Sequence, residues 1–118
     1  MPVERLNLKS LEKIFKNNIG EKTTCVVKFY SNQCRFCHAL SDEYRKISNS
    51  FENVYFFVYN INDGPSIDHL IQINGVPTIS VVKTGQRPYV SLLDDPETPH
   101  DEMWYYPQDI INFIQKEK

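Results

Sequence analysis

The sequence predicts an α/β domain, a central mixed sheet flanked by helices on both faces, with residues 1–118 forming one domain. Three observations carry this. "TTCVVKFYS" and "NVYFFVYNI" are near-continuous apolar runs, the pattern of strands covered by helices on both sides. Between them the apolar positions switch to helical steps of three and four. Further on, "PTISVV", the turn "KTGQ" and "PYVSLL" read as an antiparallel hairpin at a sheet edge.

Taken in order, "PVERL" is a short edge strand. Asn7 is an N-cap for a helix carrying Leu8, Leu11, Ile14 and Phe15, stopped at "NNIG". Residues 23–31 form a central strand that is apolar on both faces except at Lys28. Cys37, Leu40, Tyr44, Ile47 and Phe51 then share one helical stripe. After the second buried strand, "GPSIDHLIQI" reads as a short helix opened by Pro65. The hairpin follows, then the acidic, proline-containing loop "DDPETPHDE". A last helix starts at Pro107, with Ile110, Ile111, Phe113 and Ile114 as its apolar face. The order βαβαβαββα places parallel crossovers first and a hairpin last.

Composition narrows the function. The 118 residues are 41% hydrophobic and 13% aromatic, with a net charge of -2. That charge argues against a dedicated nucleic-acid or membrane-surface binder. No apolar run reaches bilayer length, and "MPVERLNLKS" lacks the apolar core of a secretory leader. Three cysteines, an odd and small number, do not suggest a disulfide-stapled secreted fold. A cytoplasmic protein, monomeric and without a membrane or nucleic-acid partner, is the expectation.

The chemistry concentrates in "NQCRFCHAL". Cys34 falls at the start of a helix, where free N–H groups and the helix dipole stabilise a thiolate. Arg35 adds positive charge beside it. Cys37 opens the buried stripe and is the sheltered thiol. Cys34 is thus the candidate nucleophile and Cys37 the resolving partner. Two other chemistries fit the letters. A zinc site would need a second ligand pair, and Cys25, His69 and His100 are scattered at separations matching no common knuckle. "CRFCH" also matches a haem attachment string with His38 as axial ligand and Met103 as a second, but attachment goes with export and an opened pocket. Cys25 itself reads as a small buried hydrophobe.

"VVKFYSNQCRFCHALSDEY" resembles the active-site segment of thioredoxins and of protein disulfide isomerase catalytic domains. "INGVPT" is similar to the second signature of that superfamily, and "VKTG" to its usual turn. The likeness runs from about Val26 to Gly85 and implies a thioredoxin fold. It also implies a cis Val76–Pro77 bond facing the cysteines, with the Val76 backbone pairing an extended substrate segment as an added strand.

Several positions depart from the family pattern. Gln33 replaces the usual tryptophan, Arg35-Phe36 the usual dipeptide, and Asp42 the kink proline. Lys28 holds the place of the buried acid, and Val58 that of a lysine on the neighbouring strand. No glycine follows Gly85. A lone ammonium in an apolar strand must snorkel, pair, or lose its proton. Lys28, Arg35 and Phe36 are therefore the residues expected to modulate the pair. The acidic loop reads as a solvated face, or else as a partner-selecting element near the groove with Trp104 as an aromatic anchor.

The resemblance implies an oxidoreductase acting on protein disulfides through Cys34 and Cys37. It would draw electrons from a reductase or dithiol donor and need no bound cofactor. Two alternatives stand beside it: a glutathione-dependent enzyme of the glutaredoxin kind, for which no glycine-pair motif follows "VPT", and a non-catalytic binding or assembly module of the same fold.

Overall fold

The strands and helices take their expected places with one exception. A computed structural model of the chain describes residues 2–16 and 20–118. Its elements are β1 (Glu4–Arg5), α1 (Leu8–Phe15), β2 (Thr24–Tyr30), α2 (Arg35–Asn49), β3 (Val54–Asn60), β4 (Thr78–Lys83), β5 (Tyr89–Leu92) and α3 (Pro107–Glu117). The five strands form one sheet in the order β1-β3-β2-β4-β5. β1 and β2 run parallel to β3, whereas β4 is antiparallel to both β2 and β5. The chain thus has the mixed sheet that the pattern predicts, in the arrangement that the resemblance implies.

Each helix is placed by its apolar stripe. Along β2, alternate residues face opposite sides. Val26 joins Phe56, Ile79 and Val81 in a core closed by Leu40, Tyr44 and Ile47 of α2 and by Ile110 and Ile114 of α3. Val27 and Phe29 face the other way, joining Tyr59 and Val82 against Leu11 and Ile14 of α1. Removing such large side chains from water contributes about 1.5–3 kcal/mol each. Asn7 caps α1 by accepting the Ser10 N–H at 2.8 Å, and Pro107 occupies the first turn of α3. The "NNIG" stop lies largely outside the described residues, and α1 ends at Phe15.

The exception is "GPSIDHLIQI", which is not a helix. A single 3₁₀ turn forms earlier, at Ile61–Asp63. Over residues 64–73 only one turn closes, where Leu70 and Ile71 donate N–H bonds to the Ile67 carbonyl. Ile67 and Ile71 are buried against the α1-side core as a helix stripe would be. Their four-residue spacing gave the helical signal. So short a segment cannot meet the cost of helix nucleation from its own bonds, and packing two isoleucines requires no more than one turn.

The sheet ends at β5, whose Tyr89, Val90 and Leu92 are exposed. Pro88 precedes it and Asp94 and Asp95 follow.

Candidate functional site

β2 carries the chain to the top of the sheet, and residues 31–33 turn it into α2. Three asparagines fix that turn. The Asn32 N–H donates to Asn62 Oδ1 at 2.9 Å, and Asn60 Nδ2 donates to Asn32 Oδ1 at 2.6 Å. The Asn62 N–H donates in turn to Asn60 Oδ1 at 2.9 Å. Asn60 is buried at the end of β3, so the approach to the helix rests on the neighbouring strand.

Cys34 is the N-cap of α2, with an extended backbone, and its Sγ accepts the Cys37 N–H at 3.1 Å. Here sulfur does the work of the usual capping oxygen, meeting one of the helix's unpaired N–H groups. Cys34 and Cys37 are joined as a disulfide with Cα atoms 5.2 Å apart. Cys37 is 1% exposed and Cys34 9%. The spacing expectation therefore holds in order, the first sulfur outermost and the second beneath the helix.

Lys28 sits below them, in register with Val58 of β3 and Ile79 of β4. It does not snorkel to the surface, and among the described residues no acid pairs with it. Only 3% exposed, its Nζ donates to the Cys37 carbonyl at 3.1 Å and to Ser41 Oγ at 3.4 Å. It also lies 5.4 Å from the Tyr44 ring centroid and 6.0 Å from that of Tyr30. Burial, with a further push from the Arg45 charge, lowers its pKa to about 8. Of the three fates open to a buried ammonium, the structure shows hydrogen bonding to neutral groups and a weakened hold on the proton.

Arg35 and Phe36 form the outer face of the motif. Arg35 is exposed, with its guanidinium carbon 5.3 Å from the Phe36 ring centroid. The Phe36 ring meets Trp104, centroids 5.6 Å apart and planes at 57°. The acidic loop arranges this. His100 and Trp104 exchange backbone hydrogen bonds of 2.9 and 3.1 Å in an antiparallel bridge. His100 Nδ1 accepts the N–H groups of Glu102 and Met103. Trp104 adopts φ +67, a left-handed conformation costing a non-glycine residue about 1–3 kcal/mol. The acids of the loop are exposed, as a solvated face should be, while its tryptophan reaches the cysteine motif.

The Val76–Pro77 bond is cis. Phe29 pairs with Thr78 across β2 and β4, so the antiparallel register carries Pro77 to the sheet end where residues 31–34 turn off. Pro77 is buried and Val76 half-buried, and Thr78 Oγ1 donates to the Gly75 carbonyl at 2.6 Å.

His38 places Nε2 3.1 Å from the Asn32 carbonyl oxygen, with its ring edge-on to Tyr30. Cys25 is buried and free, its thiol pushed up to about 11 by burial. Nothing in the sequence pattern singles out Ser41, Asn60 or Asn62. The available signal, an asparagine ending a strand and another two residues on, is weak because asparagines are common in turns.

A thioredoxin family model matches residues 6–99. The chain belongs to the thioredoxin family. Among its relatives, the thioredoxin of Mycoplasma genitalium is 32% identical over 72% of this chain and 79% of that protein. The thioredoxin of Borreliella burgdorferi is 29% identical over 57% of this chain and 58% of that protein. Other curated relatives are spanned less fully; bloodstream-specific protein 2 of Trypanosoma brucei brucei is covered over 16% of its length. Solved structures agree in fold. Spinach chloroplast thioredoxin f superposes with a TM-score of 0.71 at 19% identity, over 98% of this chain and 85% of that one. Trichomonas vaginalis thioredoxin gives 0.70 at 16% identity, over 99% and 98%. Membership together with the Cys34–Cys37 disulfide makes this thioredoxin-family protein a thiol–disulfide oxidoreductase. Disulfide substrates and a reductase partner follow in general terms from the family. Among the described residues no helix is long and apolar enough to cross a membrane.

Proposed function

We propose that this protein reduces disulfides in other proteins, with Cys34 as nucleophile and Cys37 as resolving thiol. The observation that carries the reading is the cap: Cys34 Sγ stands at the leading end of a fifteen-residue helix and accepts the Cys37 N–H. In the reduced protein that position favours a Cys34 thiolate. The thiolate attacks one sulfur of the substrate disulfide, forming a mixed disulfide and expelling the other sulfur as a thiolate that takes up a proton. Cys37 then loses its proton and attacks Cys34 Sγ. The second substrate sulfur leaves and is protonated, so the substrate gains two electrons and two protons and Cys34–Cys37 is oxidised. A reductase or dithiol of the surrounding pool returns the electrons, with no bound cofactor. A reducing cytoplasm is the compartment that suits this direction.

The other named residues have supporting parts. The Val76 backbone would align an extended substrate segment as an added strand at the cis-proline. Phe36 shapes the face presented to it. Lys28 bonds the Cys37 carbonyl; in its neutral form, with its pKa near 8, it would ease proton loss from the Cys37 thiol, and in its charged form it would favour the thiolate electrostatically. The helix end and Arg35 together stabilise the reduced form. The pair should therefore be more oxidising than thioredoxin, above about -270 mV.

The decisive experiment is trapping. Cys37→Ser should accumulate mixed disulfides of Cys34 with cellular proteins, released by dithiothreitol, and Cys34→Ser should trap none. Equal capture by both variants would refute the assignment of roles.

A further inference from the structure

A cavity of about 360 Å³ lies beside α2, with Lys28, Tyr30, Ser41 and Val58 in its inner wall and His38 and Arg45 among its exposed lining residues. That is the low end of the range for small-molecule sites, about 300–1,000 Å³. Its charge is one-sided. Lys28 and Arg45 are cations, and among the described residues no aspartate or glutamate lines the cavity. Among the described residues Lys28 has no carboxylate within salt-bridge distance, its ammonium being met by a carbonyl and a hydroxyl. Arg45 pairs with Asp42 at 3.4 Å, but both side chains are mostly exposed, at 63% and 81%, where such pairs hold weakly and exchange with solvent.

A cation removed from water without a counter-charge is costly to hold. An anion entering beside it recovers much of that cost, and low local dielectric strengthens the attraction. The guanidinium fork of Arg45 suits two oxygens of one planar or tetrahedral oxyanion. The Ser41 hydroxyl, on the turn between His38 and Arg45, donates to the Cys37 carbonyl at 3.2 Å, and it would have to exchange that carbonyl for an anion oxygen to serve as a further donor.

We propose that this cavity binds a small oxyanion, the carboxylate or phosphate of a small molecule, between Lys28 Nζ on its inner wall and Arg45 at its rim. The site stands on the charge arrangement alone and holds whether or not the cysteine pair acts on protein disulfides. Its occupant would reach the redox motif through Lys28, which already bonds the Cys37 carbonyl.

The test is amide NMR titration at neutral pH with inorganic phosphate and, separately, with acetate, ionic strength being held by chloride. Wild-type protein should show saturable shifts centred on residues 28, 41 and 45. Saturation by phosphate alone assigns a phosphorylated source, saturation by acetate alone a carboxylated one, and saturation by both a general oxyanion site. Lys28→Met should weaken binding by about tenfold or more in a protein that keeps its folded spectrum. The exposed change Arg45→Ala provides an independent loss of binding should Lys28→Met not fold. Shifts that stay linear with both anions, or saturable binding that survives Arg45→Ala undiminished, would overturn the proposal.

Discussion

Trp104 packs its indole on Phe36, the residue held between the two cysteines, with ring centroids 5.6 Å apart. This is the chain's single tryptophan, delivered by a loop outside the residues that carry the family likeness. Such pairs contribute about 0.5–1.5 kcal/mol beyond area burial. Trp104→Ala should cost about 1–3 kcal/mol in chemical denaturation and slow turnover of a protein disulfide more than that of a small aromatic disulfide. Equal slowing of both would show that Trp104 serves stability alone. Because the indole touches the motif, reduction of wild-type protein should also change its fluorescence emission, and Phe36→Ala should blunt that change.

Lys28 makes stability depend on pH in a direction its chemistry fixes. Burial lowers its pKa from the ordinary 10.5 to about 8. Between those values the unfolded chain holds a proton that the folded chain has released, so this group's contribution to stability rises with pH across that window. Below about pH 8 the buried cation costs about 3 kcal/mol. Cys25 acts oppositely. Its folded pKa is raised from 9.0 to about 11, so its contribution is lost as pH climbs through that range. Comparing wild type with Lys28→Met isolates the lysine: the variant's relative stability should fall by about 3 kcal/mol between neutral pH and about pH 10.5. A difference constant with pH would mean that Lys28 titrates normally.

Native alkylation should distinguish the thiols. After reduction, Cys34 is expected to react with iodoacetamide near neutral pH, Cys37 more slowly, and Cys25 only on unfolding, since it is 4% exposed and its thiol is pushed up to about 11. Mass mapping at successive times checks the order. Cys25 labelled ahead of Cys34 would contradict the burial described.

The asparagine cluster should act on the site through the backbone. Asn60 donates to Asn32 and accepts from Asn62, so Asn60→Ala leaves a part-buried carbonyl-type acceptor and a backbone N–H without their partner. The expected loss is about 1–3 kcal/mol in urea, with a changed alkylation rate at Cys34 because residues 31–33 lose an anchor. Asn60→Asp, which keeps the acceptor for the Asn62 N–H, should lose less.

Much of the fold could be read from the sequence because burial imposes periodicity. β2 and β3 are apolar on both faces because helices cover both sides, and the stripe from Cys37 to Ile47 is buried in α2 as its spacing requires. The same logic misread residues 64–73, since two isoleucines four apart pack equally well from a single turn. The cysteine pair was legible for a local reason: a strand-to-helix junction puts the first sulfur at a cap and the second under it. Lys28 was visible as an anomaly, but its hydrogen bonds were not, because its partners Cys37 and Ser41 belong to another element. Trp104 was the least legible in its contact, since its place depends on a left-handed backbone and a two-residue bridge within an irregular loop.

The apolar residues of β5 lie on the sheet's outer rim, where unpaired backbone groups could recruit a neighbouring chain. Pro88, at the strand's entrance, offers no N–H to such a neighbour, and Asp94 with Asp95 keeps hydrated charge at its exit. A sticky border is thereby guarded at both ends, so crowded copies should tend to stay apart rather than zip into shared sheets.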